Sequence, residues 1–346
     1  MLSKGFKICE PMRFDIYIEN VLAREDEVIV KIDAAAICKA DLRYYSGKRD
    51  KRVLDLKYPM NLLHEAVGTV IKDNSNEFSI GDKVVLVPNI ASKQCGKCNY
   101  KICDNRNLGQ NYCPDAKFAS SNCDGFSREY VSYPAGNVVL LPENLKKEIA
   151  VFSELASVAY SVYRRIDLKD NDVVAIFGDG TLSYILCCVL KKFFKGKILV
   201  VGKHEEKLNQ FPVEDKIILE HINKIGNFDI AYECVGGNKM EEAIDSIVNY
   251  IAPGGKVVLN GVADSNISIS TRKILEKGLS FYGVTRSNVE DFKKSVLLFE
   301  DEKFRTQIEK LILNIKTIND IIDFYNVFDY ESKNKQLGKV VMNFNF

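Results

Sequence analysis

A cysteine, a histidine and a glutamate stand out early in the chain: Cys38 in AAAICKADLRYY, and His64 with Glu65 in LLHEAVGTV. A thiolate, an imidazole and a carboxylate form a borderline-soft donor set that suits zinc better than calcium or magnesium. Three protein donors leave one position for water or substrate, which separates a catalytic zinc from a closed structural one. Glu154, in SELASV, offers a further carboxylate, as a direct ligand or in exchange with water. Its alternative role is a first-turn helix acid favoured by the macrodipole. A second cluster, CGKCNYKICDNRNLGQNYC, holds Cys95, Cys98, Cys103 and Cys113. Four thiolates with no open position would make a structural zinc that clips a loop. A reduced, metal-free loop is the alternative.

A zinc that polarises a carbonyl needs a hydride donor beside it to do alcohol dehydrogenase chemistry. VVAIFGDGTLSY supplies the matching fingerprint. Gly178 makes the tight turn, Gly180 lets a pyrophosphate approach the backbone, and the helix opened by Thr181 and Leu182 offers free N–H groups. The third glycine of the pattern is Ser183, small enough for close helix–strand packing. Cys234 and Val235 in ECVGG, and Gly261 in VVLNGV, are further candidate cofactor contacts. The next strand ends in Gly202, Lys203 and His204 where an NAD enzyme usually has an acid for the ribose 2′-hydroxyl. Loss of the carboxylate and gain of a cation favour the 2′-phosphate of NADP(H). The alternative is a solvated Lys203, with Glu205 or Glu206 on the ribose.

Two kinds of element must position these groups. Short strand runs, DEVIVKIDAAAI, EAVGTVIKD, GDKVVLVPN, SREYVSYP and VVLLP, fill the first part of the chain and imply a β-rich domain. EIAVFSELASVAYSVYRRI reads as one helix, and then strands and helices alternate: DVVAIFG, ILVVGK, KIILE, FDIAYECVGG and GKVVLNGV. Continuous Val/Ile/Leu runs are those of buried parallel strands, so the expectation is an α/β chain with a doubly wound sheet. The tail, with the helix NVEDFKKSVLLFED and the strand GKVVMNF, is expected to rejoin the first domain. The expected catalytic domain is therefore 1–147 with 290–346, and the cofactor domain 148–289.

The chain has 346 residues, with 48 Lys and Arg against 47 Asp and Glu. So even a balance gives no field for nucleic acid or a membrane surface. Neither a signal-like start nor a membrane-spanning run is visible, so the ten cysteines point to a reduced cytoplasmic protein rather than to disulfides. RYYSGKRDKR supplies Arg43, Lys48 and Arg49 just after Cys38, and VTRSN supplies Arg286. Guanidinium groups suit a substrate phosphate; the alternative is a solvated basic loop.

The motifs C-x-x-D-x-x-Y-Y, HE-x-x-G, SELASV, GDG, ECVGG and PGGKVVLNGV resemble those of the zinc-dependent medium-chain dehydrogenase superfamily, over nearly the whole chain. Within it AICKADLRYYSGKRD, YPMNLLHEAVGTV, FGDGTLSYI, VVGKHEEKL and TRKILEKGLSFYGVTRS are similar to ribulose-5-phosphate reductases, also called ribitol-5-phosphate 2-dehydrogenases. The resemblance implies a GroES-like catalytic domain beside a Rossmann domain and a zinc held by Cys38, His64, Glu65 and Glu154. It also implies NADPH as reductant, a dimer or tetramer, and a product passed to a cytidylyltransferase for teichoic acid or capsule synthesis. Leu63 stands where the superfamily usually has Gly, and Ala40 where many members carry a relay hydroxyl, which leaves Tyr44 or Glu65 to assist the proton. The cysteine loop is more widely spaced than usual. An NAD(P)-dependent polyol dehydrogenase acting on an unphosphorylated sugar alcohol, and a non-catalytic NADPH-binding protein, are the competing readings.

Overall fold

The computed structural model describes residues 1–92, 109–263 and 265–346. Its contacts group into two compact units, Met1–Ser157 with Ser287–Phe346, and Val158–Arg286. Residues 148–157 and 287–289, expected in the cofactor domain, thus pack with the first unit. The apolar run read as one helix is two, Lys147–Ala150 and Ser153–Tyr163. The first of these is tied to the last strand by Asn343 Nδ2, which donates to Glu148 Oε1 at 2.9 Å.

The first unit is built on the strand Glu27–Ala36, whose inward Val28, Val30 and Ile32 are fully buried. It pairs antiparallel with Glu65–Asp73 on one side, setting Ala36 opposite Glu65. At the same end it pairs antiparallel with Lys339–Phe344, setting Ala36 opposite Val341. Carrying both registers two residues further brings Cys38 level with Leu63 and Lys339. Sheet register, rather than nearness in sequence, therefore assembles the end of the sheet where the donor residues lie. The remaining strands of this sheet are Lys83–Leu86, Tyr130–Pro134, Val138–Leu140 and Ile312–Ile318. A separate hairpin, Leu2–Glu10 with Arg13–Asn20, extends through Met60–Asn61. It packs Phe6 and Phe14 against Phe324 of the helix Ile321–Lys333, with ring centroids 4.9 Å apart in both pairs.

The glycine of HE-x-x-G has a packing cause. A Cβ on Gly68 would lie 2.1 Å from the Lys31 carbonyl oxygen, a backbone atom in the neighbouring strand. Replacing Gly68 with alanine is expected to destabilise the protein by about 3 kcal/mol or more, through forced separation of the two central strands. Urea unfolding of the purified variant checks it.

The second unit holds a six-stranded parallel sheet ordered Asp215–Ile218, Lys197–Gly202, Val173–Phe177, Phe228–Glu233, Ile251–Leu259, Ser280–Gly283. This is the doubly wound order, with the reversal beside the first strand. Phe177 is level with Val201 and with Glu233, so the loops after Phe177, Gly202 and Glu233 emerge together at the carboxyl edge, where such sheets bind ligands. The sixth strand, Ser280–Gly283, has no distinct run in the sequence.

Candidate active site

Cys38, His64 and Glu65 each place a donor atom within 4.8 Å of the other two. Cys38 lies at the N-cap of the helix Lys39–Tyr45, while His64 and Glu65 are buried at the head of their strand. One oxygen of Glu65, Oε1, accepts the ammonium of Lys339; the other, Oε2, is buried with no hydrogen-bond partner. His64 Nδ1 is buried and unpartnered too, 3.4 Å from Asp41 Oδ1 and outside hydrogen-bond geometry. A buried carboxylate oxygen left unsatisfied is costly, and a dication among a thiolate, an imidazole and this carboxylate would satisfy it. The residues fit zinc.

Asp41 and Lys339 surround this set. Asp41 is fully buried and accepts the Cys38 N–H at 2.9 Å, the Leu63 N–H at 3.2 Å and the Ser120 hydroxyl. It ties both ligand-bearing segments to one carboxylate. Burial opposes its charge, but His64 and these donors outweigh burial and hold its carboxyl below the usual range. Burial likewise opposes a charged His64, yet Asp41 and Cys38 keep its pKa well above the ordinary value. A metal cation would reverse that balance and bind the neutral ring. Glu154 is buried in the same unit but is not among the donors that meet within 4.8 Å. Burial pushes its carboxyl up to about 7, with His64 lowering it and Glu65 raising it.

In the second unit Gly178 has φ +129°, a conformation that favours glycine, and its N–H reaches Val201 O at 2.8 Å. A Cβ there would also meet Ser183 Oγ at 2.9 Å and the Cys234 carbonyl oxygen at 3.0 Å, a second reason for glycine at this turn. Gly180 is the N-cap of the helix Thr181–Phe193, in which Thr181 and Leu182 open the first turn. Glu233, which the motifs did not single out, accepts N–H groups from Val235 at 2.8 Å, Gly236 at 2.9 Å and Gly261 at 3.0 Å. This buried carboxylate fixes both loops carrying Cys234, Val235 and Gly261, and burial pushes the Cys234 thiol up to about 12. Lys203 Nζ meets Glu242 at 3.0 Å, and His204 Nδ1 meets Asp179 at 2.9 Å.

Family models decide the family. The alcohol dehydrogenase GroES-like domain matches residues 24–143, and the zinc-binding dehydrogenase domain matches residues 192–301. The chain belongs to the zinc-binding alcohol dehydrogenase family. Ribulose-5-phosphate reductase 1 of Staphylococcus aureus is 35% identical over 99% of this chain and 100% of its own. Ribulose-5-phosphate reductase of Streptococcus pneumoniae is 31% identical over 95% of this chain and 94% of its own. The crystal structure of S. aureus TarJ in complex with NADPH superposes with a TM-score of 0.86, at 31% identity and full coverage of both chains.

One departure of this dehydrogenase from the usual family pattern acquires structural content. Leu63, in the place of the usual glycine, sits at φ +73°, fully buried, with its N–H on Asp41 and its carbonyl on Phe126 N–H. Those two bonds keep the positive φ in a residue that disfavours it. Cys95, Cys98 and Cys103 lie outside the described residues; Cys113 is buried and free. Tyr44 is buried, and the Arg49 guanidinium lies 4.3 Å from its ring centroid, with Arg49 Nε buried and unpartnered. Arg43 is half-buried in the last turn of the helix Lys39–Tyr45, Lys48 is exposed, and Arg286 has φ +62° at the end of the second unit. Among the described residues no helix is long and apolar enough to cross a membrane.

Proposed function

We propose that this dehydrogenase reduces D-ribulose 5-phosphate to D-ribitol 5-phosphate with NADPH. The observation that carries the reading is the meeting of Cys38, His64 and Glu65 in a chain that matches a ribulose-5-phosphate reductase from end to end. The NADPH complex of a similar structure supports the choice of reductant.

Cys38, His64 and Glu65, with Glu154 as ligand or in exchange with water, would hold a zinc ion, which when bound would supply Lewis-acid polarisation of the C2 carbonyl. The Gly178–Leu182 turn, with Cys234, Val235 and Gly261, would hold NADPH, which would supply the hydride. Asp41 holds the Cys38 and Leu63 backbone in place. Lys339 neutralises Glu65, so the donor set is not a bare cluster of anions. The new hydroxyl needs a proton from a group that keeps one near neutral pH. Glu154, a buried carboxyl in the same unit, is one candidate when water replaces it at the metal. Tyr44 and Glu65 are the other candidates, and Glu65 Oε1 is already engaged by Lys339.

At the far end, Arg43, Lys48, Arg49 and Arg286 are the candidate phosphate partners. Arg49 is the best placed, backed by Tyr44 and with an unused buried Nε. Arg49→Gln is expected to raise KM for D-ribulose 5-phosphate by roughly tenfold, the effect of one charge-assisted bond, and to leave free ribulose unaffected. The deciding assay follows NADPH oxidation with D-ribulose 5-phosphate, D-xylulose 5-phosphate and free ribulose, with and without a chelator. Equal rates on free and phosphorylated ribulose, or chelator-insensitive turnover, would overturn the reading. We place the enzyme in the cytoplasm as a homodimer or homotetramer, feeding a cytidylyltransferase that makes CDP-ribitol for teichoic acid or capsule.

A further inference from the structure

The phosphate turn and the end of the second strand of the Rossmann unit are joined by one side chain. Asp179, the middle residue of GDG, reaches across to Gly202, where a Cβ would lie 2.7 Å from Asp179 Cβ. Its Oδ2 accepts the N–H groups of Lys203 at 2.8 Å and His204 at 2.9 Å, and lies 2.9 Å from His204 Nδ1. Gly202 is thus the residue that admits a carboxylate from another loop to the place where a side-chain acid would usually stand. Unlike that usual acid, this oxygen is spent on three protein donors. Burial opposes its charge, but the bonds from His204 and Lys203 hold its carboxyl below the ordinary range.

A carboxylate only accepts, so the His204 proton shared with it must sit on Nδ1. That leaves Nε2 on the outward edge of a half-exposed ring. His204 lines a surface cavity of about 450 Å³ with Glu205, Glu206 and Asn209. The other cation at this edge, Lys203, is paired with Glu242, which Lys239 also holds. Two carboxylates on the cavity wall and a lysine already paired make this a poor site for a phosphate dianion, unless a further cation is presented. His204, held by Asp179 through Nδ1 with its other ring nitrogen facing outward, is the side chain placed to meet that phosphate.

We propose that Asp179 and His204 act as a dyad that selects NADPH over NADH: Asp179 is a positioning residue that holds His204 by Nδ1, and His204 presents Nε2 to the 2′-phosphate. The proposal rests on the reading that the Lys203–His204 segment faces the 2′-phosphate. Asp179→Asn keeps an acceptor for the two backbone N–H groups but removes the charge from the group that holds the ring by Nδ1. Dissociation constants for NADPH and NADH, measured by calorimetry on the full chain, test it without any assumption about substrate. Asp179→Asn and His204→Ala should each weaken NADPH by roughly tenfold and NADH by less than about twofold, the loss of one charge-assisted bond. The double variant should be no weaker than His204→Ala, because the two residues act as a unit.

Equal weakening of both cofactors by Asp179→Asn would reduce Asp179 to a structural brace. Effects that multiply in the double variant would mean that the residues act separately. Altered selectivity in His204→Ala with none in Asp179→Asn would remove the dyad and leave the cofactor-edge reading standing. Unchanged selectivity in both His204→Ala and Lys203→Ala would remove that reading and the dyad with it. His204 is half-exposed, so its variant tests the proposal even if Asp179→Asn fails to fold.

Discussion

Cys38→Ala will lose turnover by roughly three orders of magnitude or more, together with one bound zinc per chain. The size follows from what the ion does: Lewis-acid stabilisation of a developing alkoxide contributes several kcal/mol, each 1.4 kcal/mol being about tenfold in rate. Cys38 is the softest donor of the three and sits where a helix begins, so alanine removes the thiolate without unsettling a strand. The helix start survives because the Asp41 carboxylate still receives the backbone N–H of residue 38. Metal content measured by plasma mass spectrometry, set beside NADPH oxidation rates, checks the claim. Full zinc content with lost activity would make Cys38 something other than a ligand. Full activity would end the zinc mechanism.

The cluster of Cys38, His64 and Glu65 was legible because each side chain announces its chemistry by residue type, and His64 and Glu65 are adjacent in sequence. The groups that support it were not. Lys339 meets Glu65 across 274 positions, and Ser120 meets Asp41 across 79. Both contacts depend on strand and loop placement that no local pattern encodes. The same holds for Glu233, whose acid looked like the end of an apolar strand until its loops folded back on it. The Rossmann strands were readable because buried parallel strands are unbroken apolar runs. The hairpin Leu2–Glu10 with Arg13–Asn20 was not drawn from the sequence, although Phe14, Ile16 and Ile18 alternate with Asp15, Tyr17 and Glu19; of the three only Phe14 is buried, so that alternation does not mark a core face. The helices Lys39–Tyr45 and Lys51–Lys57 are too short to show a helical period. At Leu63 the missing glycine pointed to the right place: the positive φ is real, and a leucine adopts it.

Lys339→Met should destabilise the zinc-free protein by about 3–5 kcal/mol, the usual cost of leaving one member of a buried ion pair uncompensated. Both partners qualify: the Lys339 side chain is 9% exposed and that of Glu65 is 0%. Burial disfavours the ammonium, yet Glu65, and then Cys38, outweigh it and raise the Lys339 pKa above its ordinary value. The lysine is thus charged, and its loss leaves the buried Glu65 without the ammonium that pairs with it. Zinc changes the sum, because a dication beside the same carboxylate supplies the missing positive charge. The loss should therefore be smaller with zinc bound than after chelation. By linkage, the folded variant must then bind zinc more tightly than the native chain does, as expected when a cation is removed from beside a cation site. Adding Glu65→Gln to Lys339→Met should recover most of the stability of the chelated protein, since no buried charge is left unpaired. Unfolding curves of the three variants with zinc and with chelator give the comparison. An identical loss in both conditions would mean that Glu65 does not feel the metal, and would take it out of the ligand set.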